Sequence, residues 1–475
     1  MIDTLSIRNS ILRLGFSGKL TSQQNTDEKV SDMLSRINPK KDIVQTENTP
    51  YEIPQTWSWV KLSDLYSINP KVEAAESDEA AFIPMEKICP GFTDNFTYEV
   101  QSWAKASKNH TKFRDEDVAF AKISPCFENR KSFIARNLPN GIGGGTTELI
   151  ILRQPEMLPE YTYYLVLDQR FINTGAASYK GTVGQQRVQS DVIKNYLVPV
   201  PPFSEQKRII NKVTEAFSIL DAIDELQNQY ASNQEALKSK LIDAAIQGKP
   251  TEQFTEDGTA EELYQTISEK KKEMQKRKEI KNSKPLPEIS KDEIPFEVPS
   301  NWKWVHLDDI TTKITSGSTP TGGRKSNAYV ESGNCFFREQ NIYNDGIHEE
   351  GMVYITDELL STRENSTVIA KDILLNITGG SIGRCALIPD DFGKGSINQH
   401  ILIIRMVDDR LRYYVHKLLC SPYAQRYIKD KSVGDKDGFS GGRCKQMLIP
   451  IPPLAEQQRI AEKIDEVLSA ISMAG

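Results

Sequence analysis

The chain has 475 residues, 38% apolar and 26% charged, with a formal net charge of −6. At about 100–200 residues per domain, two to four units are expected. No run of about 18 apolar residues occurs, which argues against a membrane helix. The acidic total neither announces nor excludes nucleic-acid binding, because phosphate contact needs only a local basic face.

The N-terminus, "MIDTLSIRNSILRLGFSGKL", is apolar at helical spacing and lacks the basic start and small-residue cleavage site of a signal peptide. A cytoplasmic protein with no membrane contact is the expectation. The six cysteines, Cys89, Cys126, Cys335, Cys385, Cys420 and Cys444, include no Cys-x-x-Cys pair and no histidine at zinc-ligand spacing. Reduced, mostly buried thiols and no metal site are therefore expected.

Three pairs of segments match at a separation of roughly 250 residues, far beyond the ~20–50 of solenoid repeats, so whole domains are duplicated. "YEIPQTWSWVKLSDL" (51–65) aligns with "FEVPSNWKWVHLDDI" (296–310), and "PVPPFSEQKRIINKV" (199–213) with "PIPPLAEQQRIAEKI" (450–464). "SILRLGFSGKLT" (10–21) aligns more weakly with "KLIDAAIQGKPT" (240–251). The unit reads as Pro-Trp opening, variable body, Pro-Pro exit, long helix, Gly-Lys and polar linker. The second unit stops partway through its helix, and residues 1–50 supply what it lacks, as in a two-unit cycle cut inside one helix. The expected segments are 1–50 (N-terminal helix and linker), 51–202 (first body), 203–290 (central helix and linker), 291–453 (second body) and 454–475 (C-terminal helix).

The first body contains the β-rich runs "DEDVAFAKI" and "TELIILR", then the helical "YTYYLVLDQRFIN". Its candidates for DNA contact are Lys122 and Arg130, together with Lys180, Gln185, Gln186 and Arg187 of the Gly-rich loop "SYKGTVGQQRV". Arginine suits guanine and glutamine suits adenine; surface turns with incidental charge are the bland reading.

From Ser204 to Gln247 neither proline nor glycine occurs, which predicts a helix with Ser204 as N-cap and Glu205 favouring the dipole. About 1.5 Å per residue makes it roughly 65 Å long. Ile209, Val213, Leu220, Ile223, Leu237 and Leu241 fall on one stripe with Leu226 and Tyr230, as in a coiled-coil seam. The partner stripe comes from Ile460, Ile464 and Ile471 at the C-terminus and from Leu5, Ile7, Ile11 and Leu14 at the N-terminus. The two chain ends are expected to meet and form a second long helix antiparallel to the first. "EKKKEMQKRKEIKNSK" (269–284) reads as a solvated linker helix or a non-specific phosphate contact.

The second body repeats the order, with "KDILLNI" and "INQHILIIRM" before the helical "RLRYYVHKLLCSPYAQRYIK". "GGGTTELIILR" and "GSINQHILIIR" are candidate matching strands. The DNA-contact candidates are Arg324 and Lys325 in "TPTGGRKSNAY", Arg338 and Gln340 in "FFREQNIYN", and Lys436 and Arg443 in "VGDKDGFSGGRC". The expected fold class is α+β, with two mixed α/β bodies on two long antiparallel coiled-coil helices in a circular, pseudo-two-fold arrangement.

Catalytic motifs are missing. G-x-S-x-G occurs as "GGSIG" (379–383) and "GFSGG" (438–442), but neither shows the helix a nucleophile elbow requires. There is no phosphate-binding G-x-x-x-x-G-K-[ST] loop, and lysine follows each Asn-Pro (38–39 and 69–70), which breaks the amino-methyltransferase motif.

The doubled Pro-x-x-Trp-x-Trp and Pro-Pro-x-x-Glu-Gln-x-x-Ile, with "LIDAAIQGK", "SGSTPTGG" and "GTVGQQR", resembles the specificity subunit of type I restriction-modification enzymes over nearly the whole chain. The resemblance implies that each body is a target recognition domain reading one half of a bipartite double-stranded DNA sequence. It implies helices that hold these domains at fixed spacing. It also implies two modification subunits carrying S-adenosylmethionine and restriction subunits using ATP and Mg, with no cofactor and no catalysis in this chain. Many members of that family start near the first Pro-Trp opening and keep a longer C-terminal helix; here the cut lies elsewhere in the cycle. A stand-alone DNA-binding or scaffold protein is the alternative.

Overall fold

The computed structural model describes residues 1–37, 49–154, 156–181, 186–282, 285–320, 328–432 and 438–473. Two compact units, Met1–Asn228 and Gln229–Gly475, divide within one 43-residue helix, Phe203–Ala245. The fold is α+β, with mixed helix and sheet in both units.

The first unit opens with the helix Thr4–Phe16, capped by the Asp3 side chain, which accepts from the Ser6 amide. It runs antiparallel to the first half of the central helix. The Thr4 hydroxyl donates to Asp224 at 2.6 Å and Arg8 to Asp224 at 2.8 Å, while Gly15 lies against Ile209. The buried face is Thr4, Arg8, Leu12, Gly15 and Phe16. This corrects the expected seam, since Leu5 is 53% exposed and Ile7 and Leu14 are also exposed. Apolar identity pointed to one stripe, but Arg8 is buried by pairing with Asp224 and resting on the Phe217 ring.

The repeated exit sequence forms a buried polar latch. Glu205 is fully buried, and its carboxylate accepts from the Trp57 indole at 2.8 Å, Thr21 at 3.0 Å and Gln23 at 2.9 Å. Gln206 accepts from the Leu158 amide at 3.1 Å and donates to the Pro201 carbonyl at 3.3 Å. Arg208 clamps Asp27 at 2.6 Å. The helix therefore starts at Phe203, one residue before the expected cap: Ser204 bonds Asp27, and Glu205 turns inward to the latch. Gly18 sits beside the latch at φ +67°, where a Cβ would lie 2.3 Å from the Pro54 ring, so only glycine fits.

The second unit repeats the glutamate and arginine contacts of this arrangement. Glu456 accepts from Trp302 at 2.9 Å, Thr251 at 3.3 Å and Gln253 at 2.8 Å, and Arg459 pairs with Asp257. Gly248, at φ +73°, faces Pro299 as Gly18 faces Pro54. The antiparallel pair here is the second half of the central helix with Leu454–Met473, where Gln234 donates to the Ile471 carbonyl at 3.3 Å.

Each body hangs from a short ribbon between its Pro-Trp and Pro-Pro segments. Trp59 is opposite Pro199 in one, and Trp304 is opposite Pro450 in the other. The Tyr161 hydroxyl donates to Pro199 at 2.8 Å and that of Tyr414 to Pro450 at 2.7 Å. The first body has a four-stranded sheet ordered Ser67–Ile68, Leu149–Arg153, Val118–Ala121 and Ser132–Ile134, next to a second four-stranded sheet. The second body has a four-stranded sheet ordered Thr311–Ser316, Ile401–Met406, Ile373–Asn376 and Cys385–Leu387, next to a five-stranded one. The matching strands read in the sequence occupy corresponding places. In each body a parallel pair also joins an early strand to the one before them, Glu79–Ile83 with Ile142–Gly145 and Asn334–Phe337 with Lys394–Ile397.

The central helix departs from a continuous seam. Ile209, Val213 and Leu220 are buried and Ile223 and Leu241 half-buried, but Leu226 is 63% and Leu237 54% exposed. The middle turns are held by Gln227 with Ile2 in one unit and Gln234 with Ile471 in the other. On the shorter helices Ile460, Ile464 and Ile471 are buried and Ile11 is half-buried. The basic run begins within the helix Ala260–Lys276, whose Thr259 and Glu262 form a capping box. That helix is not wholly solvated, because Ile267 is buried and Lys271 donates to the Asp308 carbonyl.

Glu205→Ala strands the buried indole N–H of Trp57, and a loss of roughly 2–4 kcal/mol is expected in urea unfolding followed by tryptophan fluorescence. A loss under about 0.5 kcal/mol would remove the latch from its structural role. The Arg208 hydrogen bond holds Asp27 at about 2, against an ordinary 3.8. The folded value is depressed, so this stability is present above pH 3.8 and is lost as pH falls toward about 2. Asp27→Asn should flatten the stability–pH slope in that window alone.

Candidate nucleic-acid interface

In the first body residues 186–188, which follow the helix Gln169–Ala176 in the chain, lie along the end of strand Val118–Ala121. The Lys122 amide donates to the Glu148 carbonyl at 2.8 Å, and the Val188 amide donates to the Lys122 carbonyl at 2.9 Å. Lys180 and Arg187 form a backbone pair at 3.0 and 3.3 Å, and the Ser124 amide donates to the Gln186 carbonyl at 2.8 Å. Lys122 is thus gathered on one edge with Lys180, Gln186 and Arg187 of the loop. Lys180 and Arg187 are exposed; Lys122 and Gln186 are half-buried. Arg187 donates to Glu148 through Nε and Nη2 at 2.8–3.1 Å. This hydrogen bonding holds Glu148 below the usual carboxylate range and raises Arg187. Gln185 lies outside the described residues.

The two stitches through Lys122 recur in the second body. The Ile377 amide donates to the His400 carbonyl at 2.9 Å, and the Phe439 amide to the Ile377 carbonyl at 2.8 Å. His400 therefore occupies the place of Glu148, and Gly438 that of Arg187. The His400 ring pairs with Thr378 at 2.6 Å through Nδ1 and with Gln399 at 3.0 Å through Nε2; Gln399 is exposed. Sequence reasoning missed both, because neither is cationic nor in a Gly-rich loop. Their position at the start of strand Ile401–Met406, matching "TTE" before Leu149–Arg153, was the available signal.

The other candidates scatter. Arg338 donates to the Gly351 carbonyl, and its amide donates to Asn341 at 3.1 Å, while Gln340 is exposed on the same turn. That turn docks on the sheet through Asn376, which donates to the Glu339 carbonyl at 2.8 Å. Arg443 is not in the loop; it lies on the short helix Gly441–Lys445 and donates to the Lys431 carbonyl. Arg324, Lys325 and Lys436 lie outside the described residues. Arg130 is placed otherwise than expected. It is 9% exposed, donates to the Leu167 carbonyl at 3.0 Å and to Asn9 at 3.1 Å, and stacks on Phe92. A guanidinium so committed supports the fold and cannot reach a base.

Neither serine motif forms a nucleophile elbow. Ser381 lies in a 3-10 turn that leads into the strand Cys385–Leu387, and its hydroxyl meets Asn376 at 3.2 Å. Ser440 is followed by a helix after all, but one of five residues whose N-cap it is, accepting from the Arg443 amide. The cysteine reading needs correction on burial, since only Cys385 and Cys444 are buried and Cys89 is exposed. His416 and Cys420 are four apart on one helical face and converge with Cys385, all three ligand atoms lying within 4.8 Å of one another. The spacing rule looked for ligand pairs in known zinc patterns and passed over this one, completed by a distant strand.

Arg130→Ala removes a buried guanidinium that satisfies a carbonyl. It should cost roughly 2–4 kcal/mol of stability in urea unfolding and leave the recognised DNA sequence unchanged. A changed sequence preference without loss of stability would return Arg130 to the interface.

A family model described as the type I restriction modification DNA specificity domain matches residues 54–232 and again 299–473. The type I restriction enzyme EcoAI specificity subunit of Escherichia coli is 29% identical over 97% of this chain and 88% of its own. The EcoEI specificity subunit of the same species is 30% identical with the same coverage. A solved chain from work on complex assembly and conformational transition of the type I R-M system is similar in fold. It has a TM-score of 0.62 and 18% identity, and the likeness covers 90% of this chain and 93% of that one. Both family matches begin at the proline of a Pro-Trp opening and run into a long helix, and the chain belongs to the type I restriction-modification DNA specificity family.

Proposed function

We propose that this chain is the DNA-specificity subunit of a type I restriction-modification complex, each body reading one half of a bipartite double-stranded target. One observation carries the reading: identical backbone stitches present Arg187 with Glu148 in one body and Gly438 with His400 in the other. One scaffold with two different sets of polar side chains suits two different half-sites. Arg187, held by its ion pair, suits guanine, and Gln399 suits adenine. Lys122 and Lys180 supply phosphate contacts that position the body without specifying sequence.

The paired helices set the spacing between half-sites, because two linked binding modules gain affinity only at the separation their connection permits. The exposed Leu5 and Leu226 of the first unit and Leu237 of the second offer apolar footholds to two modification subunits. Those subunits bring S-adenosylmethionine and methylate an adenine made accessible by base flipping. Restriction subunits add ATP- and Mg-dependent cleavage. This chain is then non-catalytic and acts in the cytoplasm; among the described residues no helix is long and apolar enough to cross a membrane.

With the modification partner, the chain should direct adenine methylation at a gapped, asymmetric sequence. Exchange of residues 300–447 should change one half-site only, read by single-base methylation mapping; a change in both would defeat one-body-per-half-site recognition. Lys180→Ala should weaken DNA binding evenly across sequences and lower the salt slope by about 1, whereas Arg187→Ala should cost about 1–3 kcal/mol and relax one position.

A further inference from the structure

We propose that Cys385, His416 and Cys420 of the second body form a binding site for one Zn2+ ion, with the fourth coordination position open to a cleft. The three residues come from two elements. His416 belongs to the helix Arg412–Leu419, whose C-cap is Cys420, and Cys385 begins the strand Cys385–Leu387. Among the described residues this is the one cluster of three side chains with metal-ligating atoms so close together.

The distances suit the ion. Zinc bonds of about 2.3 Å to sulfur and about 2.0–2.1 Å to nitrogen, at tetrahedral angles, place a sulfur and a nitrogen ligand about 3.6 Å apart. Cys420 Sγ and His416 Nε2 are 3.7 Å apart, and Cys385 supplies a third ligand atom within 4.8 Å of the other two. Two sulfurs and an imidazole form a soft donor set that favours zinc over magnesium or calcium. A Cys2His site leaves one position for water or another ligand. That position has access, because His416, Cys420, Lys417, Asn344, Gln425 and Glu235 line a cleft of about 450 Å3.

The molecule contains its own control. Tyr161 and Tyr414 make the same bond to the proline ribbon, so His416 and Cys420 correspond to Tyr163 and Leu167. The strand registers, Phe120 opposite Ser132 and Leu375 opposite Cys385, make Ser132 the counterpart of Cys385. The first body builds the same helix-on-sheet contact with no ligating pair, so the fold does not require two cysteines and a histidine here. The His416 Nε2 lies 3.0 Å from the Cys385 carbonyl and 3.7 Å from Cys420 Sγ, so metal binding through this nitrogen would replace its bond to the carbonyl.

Zinc would tie the strand to the helix by bonds and release any thiol proton on binding. Because Lys417 of that helix pairs with Asp465 of Leu454–Met473, the metal would also stiffen the seat of the C-terminal helix within the second unit.

The test uses the full chain, stripped with a chelator under reducing conditions and titrated with Co2+, then competed with Zn2+. One equivalent of Co2+ with a thiolate charge-transfer band, displaced by Zn2+, is expected. His416→Tyr and Cys420→Leu, which install the first body's residues, should lose the band and weaken binding at least tenfold. A Cys89→Ser control should keep both. A second measurement needs no variant: saturating Zn2+ should slow alkylation of Cys420, located by peptide mass, at least tenfold. The proposal falls if the band persists in both variants, if Zn2+ leaves Cys420 labelling unchanged, or if Cys385 and Cys420 are joined as a disulfide in the protein as isolated.

Discussion

A buried glutamate at the start of each long helix is the contact on which both units depend. Glu205 and Glu456 are removed from water and each accepts from an indole, a hydroxyl and an amide. A buried acceptor of this kind is stabilising only when its donors all arrive, because an unmatched one costs more than an unformed bond. The donors come from the Pro-Trp opening and from the segment after the Gly-Lys step. Three stretches distant in sequence therefore have to meet for any of them to be satisfied. The glycine that lets the chain pass so close to the proline ring belongs to the same constraint.

From that latch the rest of each body follows. The tryptophan that reaches the glutamate precedes the ribbon by one residue, and the ribbon's prolines receive the hydroxyl of a tyrosine on the late helix. This helix packs on the sheet whose central strand carries the loop stitches. Rigid positioning passes from a buried polar network to an exposed edge without involving the residues on that edge. Arg187 can thus give way to Gly438, and Glu148 to His400, while the backbone contacts stay the same. A scaffold of this kind lets recognition chemistry change at little cost to folding.

Much of this was legible beforehand, and the misses have physical causes. The duplicated Pro-Trp and Glu-Gln segments marked the frame because buried polar contacts demand particular residues. The seam was over-read where apolar identity stood in for burial. Leu5, Leu226 and Leu237 match the spacing yet face solvent, while Thr4 and Arg8 lie buried because Asp224 satisfies them. Arg130 was read as a DNA contact from charge alone, although its chain neighbours give no sign of the Leu167 carbonyl it serves. Gln399 and His400 went unnoticed, since nothing local separates a strand-start polar pair from an ordinary turn.

By itself the sequence determined the duplication, the order of elements, the long helix and the absence of familiar catalytic motifs. Each of these depends on residue type at short range or on likeness between two stretches of one chain. Only the tertiary structure decided which face of each helix is buried, which cations share an edge and which cysteines meet a histidine. Those properties depend on partners far away in sequence, and a side chain's own identity says little about who will be within about 3–4 Å of it.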